Sequence, residues 1–228
     1  MVQLNDLSED IETASAPLGL VDVHQKTGFY RNYGKRLFDI VAVTLLGLIA
    51  IPVILVLALW VARDGHVPFY RSDRVGRGGR TFRMLKLRTM VPDAEGLLAR
   101  HLASDPAAAE EWRRTQKLKR DPRITTSGRI LRKSSLDELP QLWNVLIGDM
   151  SLVGPRPMMP SQRALYSGLS YYSLRPGVTG PWQVSDRNAS TFAKRADFDR
   201  VYDRDLSFSG DMICLMKTFR AVVRGTGY

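Results

Sequence analysis

The sequence predicts an α+β protein: a mostly helical body with one small β-hairpin, preceded by an apolar helix suited to a membrane. Three observations carry this. Residues 40–62 contain no charge, and Thr44 is their one hydroxyl. The strand-type segments 67–72 and 81–87 flank Gly76, Gly78 and Gly79. Residues 94–119, 136–146 and 211–223 have the composition or the apolar periodicity of helices.

The apolar run has 23 residues, enough to span a hydrocarbon core of about 30 Å as a straight helix. Cations flank both ends, with Arg31, Lys35 and Arg36 before it and Arg63, Arg71, Arg74 and Arg77 after it. The positive-inside tendency holds both ends on the cytoplasmic side. Pro52 near the middle removes a helical hydrogen bond. Two topologies fit: a re-entrant helix broken at Pro52 that leaves on the face it entered, and a kinked spanning helix. The expected organisation is a mobile acidic leader over 1–30, a membrane-associated re-entrant segment over 31–66 and a cytoplasmic catalytic domain over 67–228. The leader has no basic n-region, so it does not read as a secretory signal.

The hairpin, residues 67–90, carries seven cations and one acid, Asp73. Residues 94–119 read as two helices divided at Asp105-Pro106, and Asp121-Pro122 and Ser127-Gly128 mark turns in a basic stretch. The last helix, 211–223, is amphipathic enough to pack on the body or lie at a membrane surface. A single cysteine, Cys214, excludes an internal disulfide and any multi-cysteine metal site, and its apolar neighbours suit a buried position. The net charge is +10, and most of the acids in the leader are unmatched there, so the body is more basic still. Such a body expects anionic partners: nucleic acid, anionic lipid or phosphorylated substrates.

The densest chemistry lies between Arg132 and Leu146. Leu136, Leu139, Leu142, Trp143 and Leu146 form one apolar helical face. Ser135 is placed to cap that helix, with Glu138 completing a capping box and Asp137 in the first turn, where the helix dipole favours its ionised form. Pro140 falls awkwardly late in this register. The capping box alone accounts for Glu138. Adjacent carboxylates can also divide work, one attacking or holding a metal and the other assisting, and magnesium takes few carboxylates while leaving positions for phosphate oxygens. Downstream, Arg156 stands between Pro155 and Pro157, and Arg175 leads a Pro-Gly turn. Guanidinium groups on stiff loops suit phosphate recognition.

The series Lys35-Arg-Leu-Phe-Asp39, Lys86-Leu-Arg-Thr-Met90, Ser135-Leu-Asp-Glu-Leu139, Asn144 through Pro157, and Arg175-Pro-Gly-Val-Thr-Gly180 resembles the monotopic bacterial sugar transferases, or polyprenol-phosphate phosphoglycosyltransferases. It is most similar to members that begin exopolysaccharide or O-glycan assembly, over roughly residues 34–227. The resemblance implies a re-entrant helix, a mixed α/β body at the cytoplasmic face of the bacterial inner membrane, and magnesium held by Asp137 and Glu138. It implies that Asp137 attacks the sugar-bearing phosphate of a UDP-sugar, a hexose such as galactose, and that polyprenol phosphate then takes the phosphosugar. Glu138 assists, and Lys86, Arg132, Arg156, Arg175 and Asp199 match substrate-binding positions; Asp197 and Asp203 lie close to the last. The implied partners are the UDP-sugar, the lipid acceptor and anionic membrane lipid, with no nucleic acid; a homo-oligomer is compatible. The chain departs from the family at Ile51, where the family carries a serine before the proline. A non-catalytic membrane-tethered anion binder and a nucleotide-sugar hydrolase are the competing readings.

Overall fold

A computed structural model describes residues 28–115, 118–185, 192 and 194–223. The expected acidic leader lies almost entirely outside them. One continuous helical stretch, Tyr30–Asp64, is 35 residues long and apolar enough to cross a membrane. Its α-helical part is α1 (Lys35–Val61), about 40 Å of helix at 1.5 Å per residue. The helix continues through Pro52, so proline is accommodated within α1 and does not end it. Thr44 returns its hydroxyl hydrogen bond to Ile40 O at 2.8 Å. Leu48, Ile49 and Leu59 are each 73% exposed, which rules out a soluble core helix here.

Both ends of α1 attach to the same body. At the first end, Arg36 donates to Val145 O at 2.6 Å and Leu146 O at 2.8 Å. Asp39 Oδ1 accepts from Leu152 N at 3.0 Å. Arg31 pairs with buried Asp203, and Lys35 and Tyr30 both bond Asp211. At the second end, Ala58 and Val61 pack with Leu87 and Leu131. Arg88 donates to Val61 O at 3.3 Å and pairs with Asp64 at 2.6 Å.

The body begins with the predicted hairpin, β1 (Phe69–Val75) and β2 (Thr81–Leu87), antiparallel with Tyr70 opposite Lys86 and Arg74 opposite Phe82. The turn uses Gly78 and Gly79 at positive φ, a region that favours glycine. Helices α2 (Ala94–Ser104) and α3 (Pro106–Thr115) follow as expected, divided at Asp105. Ser127-Gly128, read as a turn, instead lies inside α4 (Thr126–Ser134), which Thr125 caps through its hydroxyl to Gly128 N at 2.9 Å. A threonine N-cap and a turn leave the same local signature. Phe82 and Met84 of β2 join Val43, Val145, Met150 and Leu152 in the largest core cluster.

The helix expected from Leu136 starts later. Ser135 ends α4 in the left-handed region (φ 57°) and caps nothing, Leu136–Glu138 form a 3₁₀ turn, and α5 is Gln141–Ile147 with Pro140 at its N-cap. Proline at that boundary forfeits no helical hydrogen bond, which removes the awkwardness of the expected register. One sheet has no counterpart in the sequence reading: β3 (Ser151–Val153) pairs in parallel with β4 (Gly177–Thr179). It joins the two arginine-bearing loops. The approach demands glycine, since a Cβ on Gly154 would fall 2.3 Å from Arg175 O and one on Gly177 2.2 Å from Gly154 N. Short helices α6 (Ser170–Ser173) and α7 (Pro181–Val184) lead to α8 (Arg195–Arg204) and α9 (Phe208–Val223). Cys214 is buried, and burial pushes its thiol up to about 11.

Candidate active site

The acidic pair sits where α4 ends and the 3₁₀ turn begins. Lys86, near the end of β2, extends to it: its Nζ lies 2.6 Å from Glu138 Oε1 and 3.7 Å from Asp137 Oδ2. Glu138 is therefore a partner of Lys86 and not the second half of a capping box. Arg132, one helical turn before, donates through Nε to Thr89 Oγ1 at 2.9 Å. Its charge is felt by both Asp137 and Asp121. Asp121 in turn accepts from Arg123, whose guanidinium stacks 5.0 Å from the Trp112 ring.

Asp137 is 7% exposed. Burial raises its pKa above the ordinary carboxylate value; Lys86 and Arg132 pull it down, and Glu138 pushes it up. The expected preference for the ionised form from a helix dipole is thus overturned, because the residue occupies a 3₁₀ turn and has lost water. Two adjacent carboxylates suit magnesium, which needs only one or two from the protein and fills its shell with water and phosphate oxygens. Among the described residues no group of three His, Cys, Asp or Glu gathers, so a site holding a metal by protein ligands alone is absent there.

The remaining expected site residues go elsewhere. Arg175 donates through Nε to Gly148 O at 2.9 Å, at the C-terminal end of α5 where Arg36 also caps. Cations are favoured at that end of a helix. Arg156 and Asp199 belong to a second cluster. Asp199 accepts from the Tyr166 hydroxyl at 2.9 Å and is 4% exposed. Burial raises its pKa to about 7 against the lowering by Tyr166 and Arg195. Its neighbours are separated by structure: Asp203 pairs with Arg31, and Asp197 is exposed and pairs with Arg200. Thr89 and Arg195 were not singled out from the sequence, and Arg74 was read only as a cation flanking the apolar run. The i, i+4 spacing of Arg195 and Asp199 on one helix face was the available signal for Arg195.

A buried carboxylate flanked by a lysine and an arginine, in a basic body tethered to a long exposed apolar helix, is the arrangement of a membrane-associated protein. Residues 30–225 match the family model described as bacterial sugar transferase; the chain belongs to that family. It is 45% identical over 195 residues to the UDP-galactose-lipid carrier transferase of Erwinia amylovora, covering 85% of this chain and 41% of that protein. It is 46% identical over 195 residues to the undecaprenyl-phosphate galactose phosphotransferase of Salmonella typhimurium, with the same coverage of 85% and 41%. The exopolysaccharide production protein ExoY of Sinorhizobium fredii is 42% identical over 212 residues, covering 90% of this chain and 93% of its own length. The chain thus spans about two fifths of the first two relatives and nearly all of the third.

Because Lys86 is the largest influence holding Asp137 down against burial, Lys86→Met is expected to raise that pKa further. Activity that needs the ionised form of Asp137 should then show its acid limb in kcat/KM at higher pH. A pH–rate series on the variant checks the direction.

Proposed function

We propose that the chain transfers a sugar-1-phosphate from a UDP-sugar, a hexose such as galactose, to polyprenol phosphate, initiating exopolysaccharide or related glycan synthesis. The observation that carries this is the burial of Asp137 beside Glu138, Lys86 and Arg132. The names of the relatives, with their UDP-galactose and undecaprenyl-phosphate chemistry, support the same substrates.

Asp137 acts as nucleophile. A carboxylate oxygen attacks the phosphorus bearing the sugar, forming an aspartyl–phosphorus bond as the bridging phosphorus–oxygen bond of the diphosphate breaks and UMP leaves. A phosphate oxygen of the lipid then attacks the same phosphorus. The aspartyl bond breaks, the carboxylate returns, and polyprenyl diphosphate-sugar is released. Lys86 and Arg132 lower the cost of gathering anionic phosphate beside a carboxylate. Glu138 and Asp137 would hold magnesium, which when bound neutralises diphosphate charge. Asp137→Asn removes the attacking oxyanion, so UMP release from UDP-galactose with undecaprenyl phosphate and magnesium should fall by at least 10³-fold, roughly the scale set by loss of a covalent nucleophile. Retained turnover would sink the assignment. UMP release that needs no lipid phosphate would favour a hydrolase.

The attachment of both ends of α1 to one body supports a helix that dips into the membrane from the cytoplasmic face of the inner membrane and returns. A spanning helix would send its ends to opposite sides. The flanking cations at both ends support the same orientation. In a Cys214→Ser background, Tyr33→Cys and His66→Cys should both be labelled from the cytoplasmic side by an impermeant thiol reagent. Labelling from opposite sides contradicts the dipping arrangement.

A further inference from the structure

Asn144, in the middle of α5, takes no part in the transfer chemistry, yet it is 2% exposed and both polar atoms of its side chain are engaged. Its Nδ2 donates to Arg83 O at 2.9 Å, and its Oδ1 accepts from Leu85 N at 2.9 Å. Gly76 N donates to Arg80 O, so Phe82, Met84 and Lys86 bond β1, and the backbone groups of Arg83 and Leu85 face away from it. The carboxamide therefore stands where one residue of a parallel third strand would stand, bonding alternate residues of β2. A donor must meet Arg83 O and an acceptor must meet Leu85 N, so the amide has one permitted orientation. An apolar side chain here would leave both backbone groups without these partners.

The same stretch of chain carries the acidic pair. Glu138 N donates to Ser135 O, Leu139 N to Leu136 O, Leu142 N to Leu139 O and Trp143 N to Pro140 O, which joins the 3₁₀ turn to α5. Asp137 and Glu138 are thus fixed to the helix that holds Asn144. Lys86 directly follows Leu85, and its Nζ reaches Glu138 Oε1 at 2.6 Å and Asp137 Oδ2 at 3.7 Å. The contacts close a ring: from β2 to Asn144, through the helix start to the acidic pair, and back through Lys86. Met84 and Val145 also pack in one cluster between strand and helix. Apolar contact has no direction, however, and permits a strand to slide. A slide of one residue turns every side chain to the opposite face and takes Lys86 away from the carboxylates. The directional bonds of the amide oppose that slide.

We propose that Asn144 is a positioning residue: its carboxamide sets the register of β2 against α5 and so holds Lys86 against Asp137 and Glu138. The proposal rests on the transferase reading for its effect on turnover, whereas the placement of Lys86 is measured without it.

The test uses the full chain in phosphatidylcholine nanodiscs, with Asn144→Leu and Lys86→Met made singly and together. A water-soluble carbodiimide joins an amine to a carboxylate only where the two touch. Peptide mass spectrometry then measures the amide formed between Lys86 and Glu138 or Asp137. Asn144→Leu should lower that yield about tenfold, the scale of a buried group left unsatisfied. Its kcat/KM for UDP-galactose with undecaprenyl phosphate should fall about 10- to 100-fold, the scale of a misplaced catalytic group. The double variant should be no slower than the slower single variant, because both lose the same contact. Leu142→Ala weakens the packing of α5 but touches neither bond of the amide, so it should keep the cross-link. An unchanged cross-link yield in Asn144→Leu overturns the proposal, as do turnover losses that simply add in the double variant. Asn144→Asp keeps the size and the acceptor for Leu85 N but turns an oxygen on Arg83 O. It should lower both readouts, and it carries the test if the leucine variant does not fold. If Lys86→Met turns over as the parent does, the transferase role given to Lys86 fails, and the cross-link still decides what Asn144 holds.

Discussion

A carboxyl group withdrawn from water is the constraint around which the site is organised. Asp137 is buried in a tight turn, and burial raises its pKa against the pull of the cations beside it. Lys86 and Arg132 come from different elements and are themselves positioned, the lysine by the register of β2 and the arginine by the Thr89 hydroxyl. Electrostatic attraction in such a partly dry place is stronger than at an open surface.

Strand β2 and the residues just after it connect this chemistry to the membrane element. Met84 belongs to the core that includes Val43 of α1, and Leu87 packs with Ala58 and Val61. Lys86 reaches the acidic pair, and Arg88 grips the far end of α1 through Val61 O and Asp64. Within five residues, side chains thus serve α1, the core and the buried acid. At the other end, buried Asp39, Asp203 and Asp211 clamp the start of α1 onto α8, α9 and β3.

Much of this was legible in the residues. The apolar run, the hairpin and the acidic pair stand out by composition and spacing, and each is present. What the chain order conceals is which partner wins a shared group. Ser135 and Glu138 fit a capping box locally, yet Lys86, 52 positions from Glu138, takes that carboxylate, and Ser135 turns left-handed to end α4. Pro140 carried the clue, being misplaced in a helix starting at Leu136 and well placed before one starting at Gln141. The β3–β4 pair was invisible because three-residue strands are too short to show a period. Arg156 and Arg175 look alike in sequence, one between prolines and one before Pro-Gly. The structure gives the first to Trp182 and the second to the carbonyl of Gly148.

The central claim is that Asp137 bonds covalently to the phosphosugar, and intact-mass measurement tests it most directly. Full-length protein incubated with UDP-galactose and magnesium, with the lipid acceptor withheld, should gain the mass of one hexose phosphate, lost on adding undecaprenyl phosphate and absent from Asp137→Asn. An active preparation that shows no adduct under those conditions, or an adduct that persists in Asp137→Asn, would contradict it.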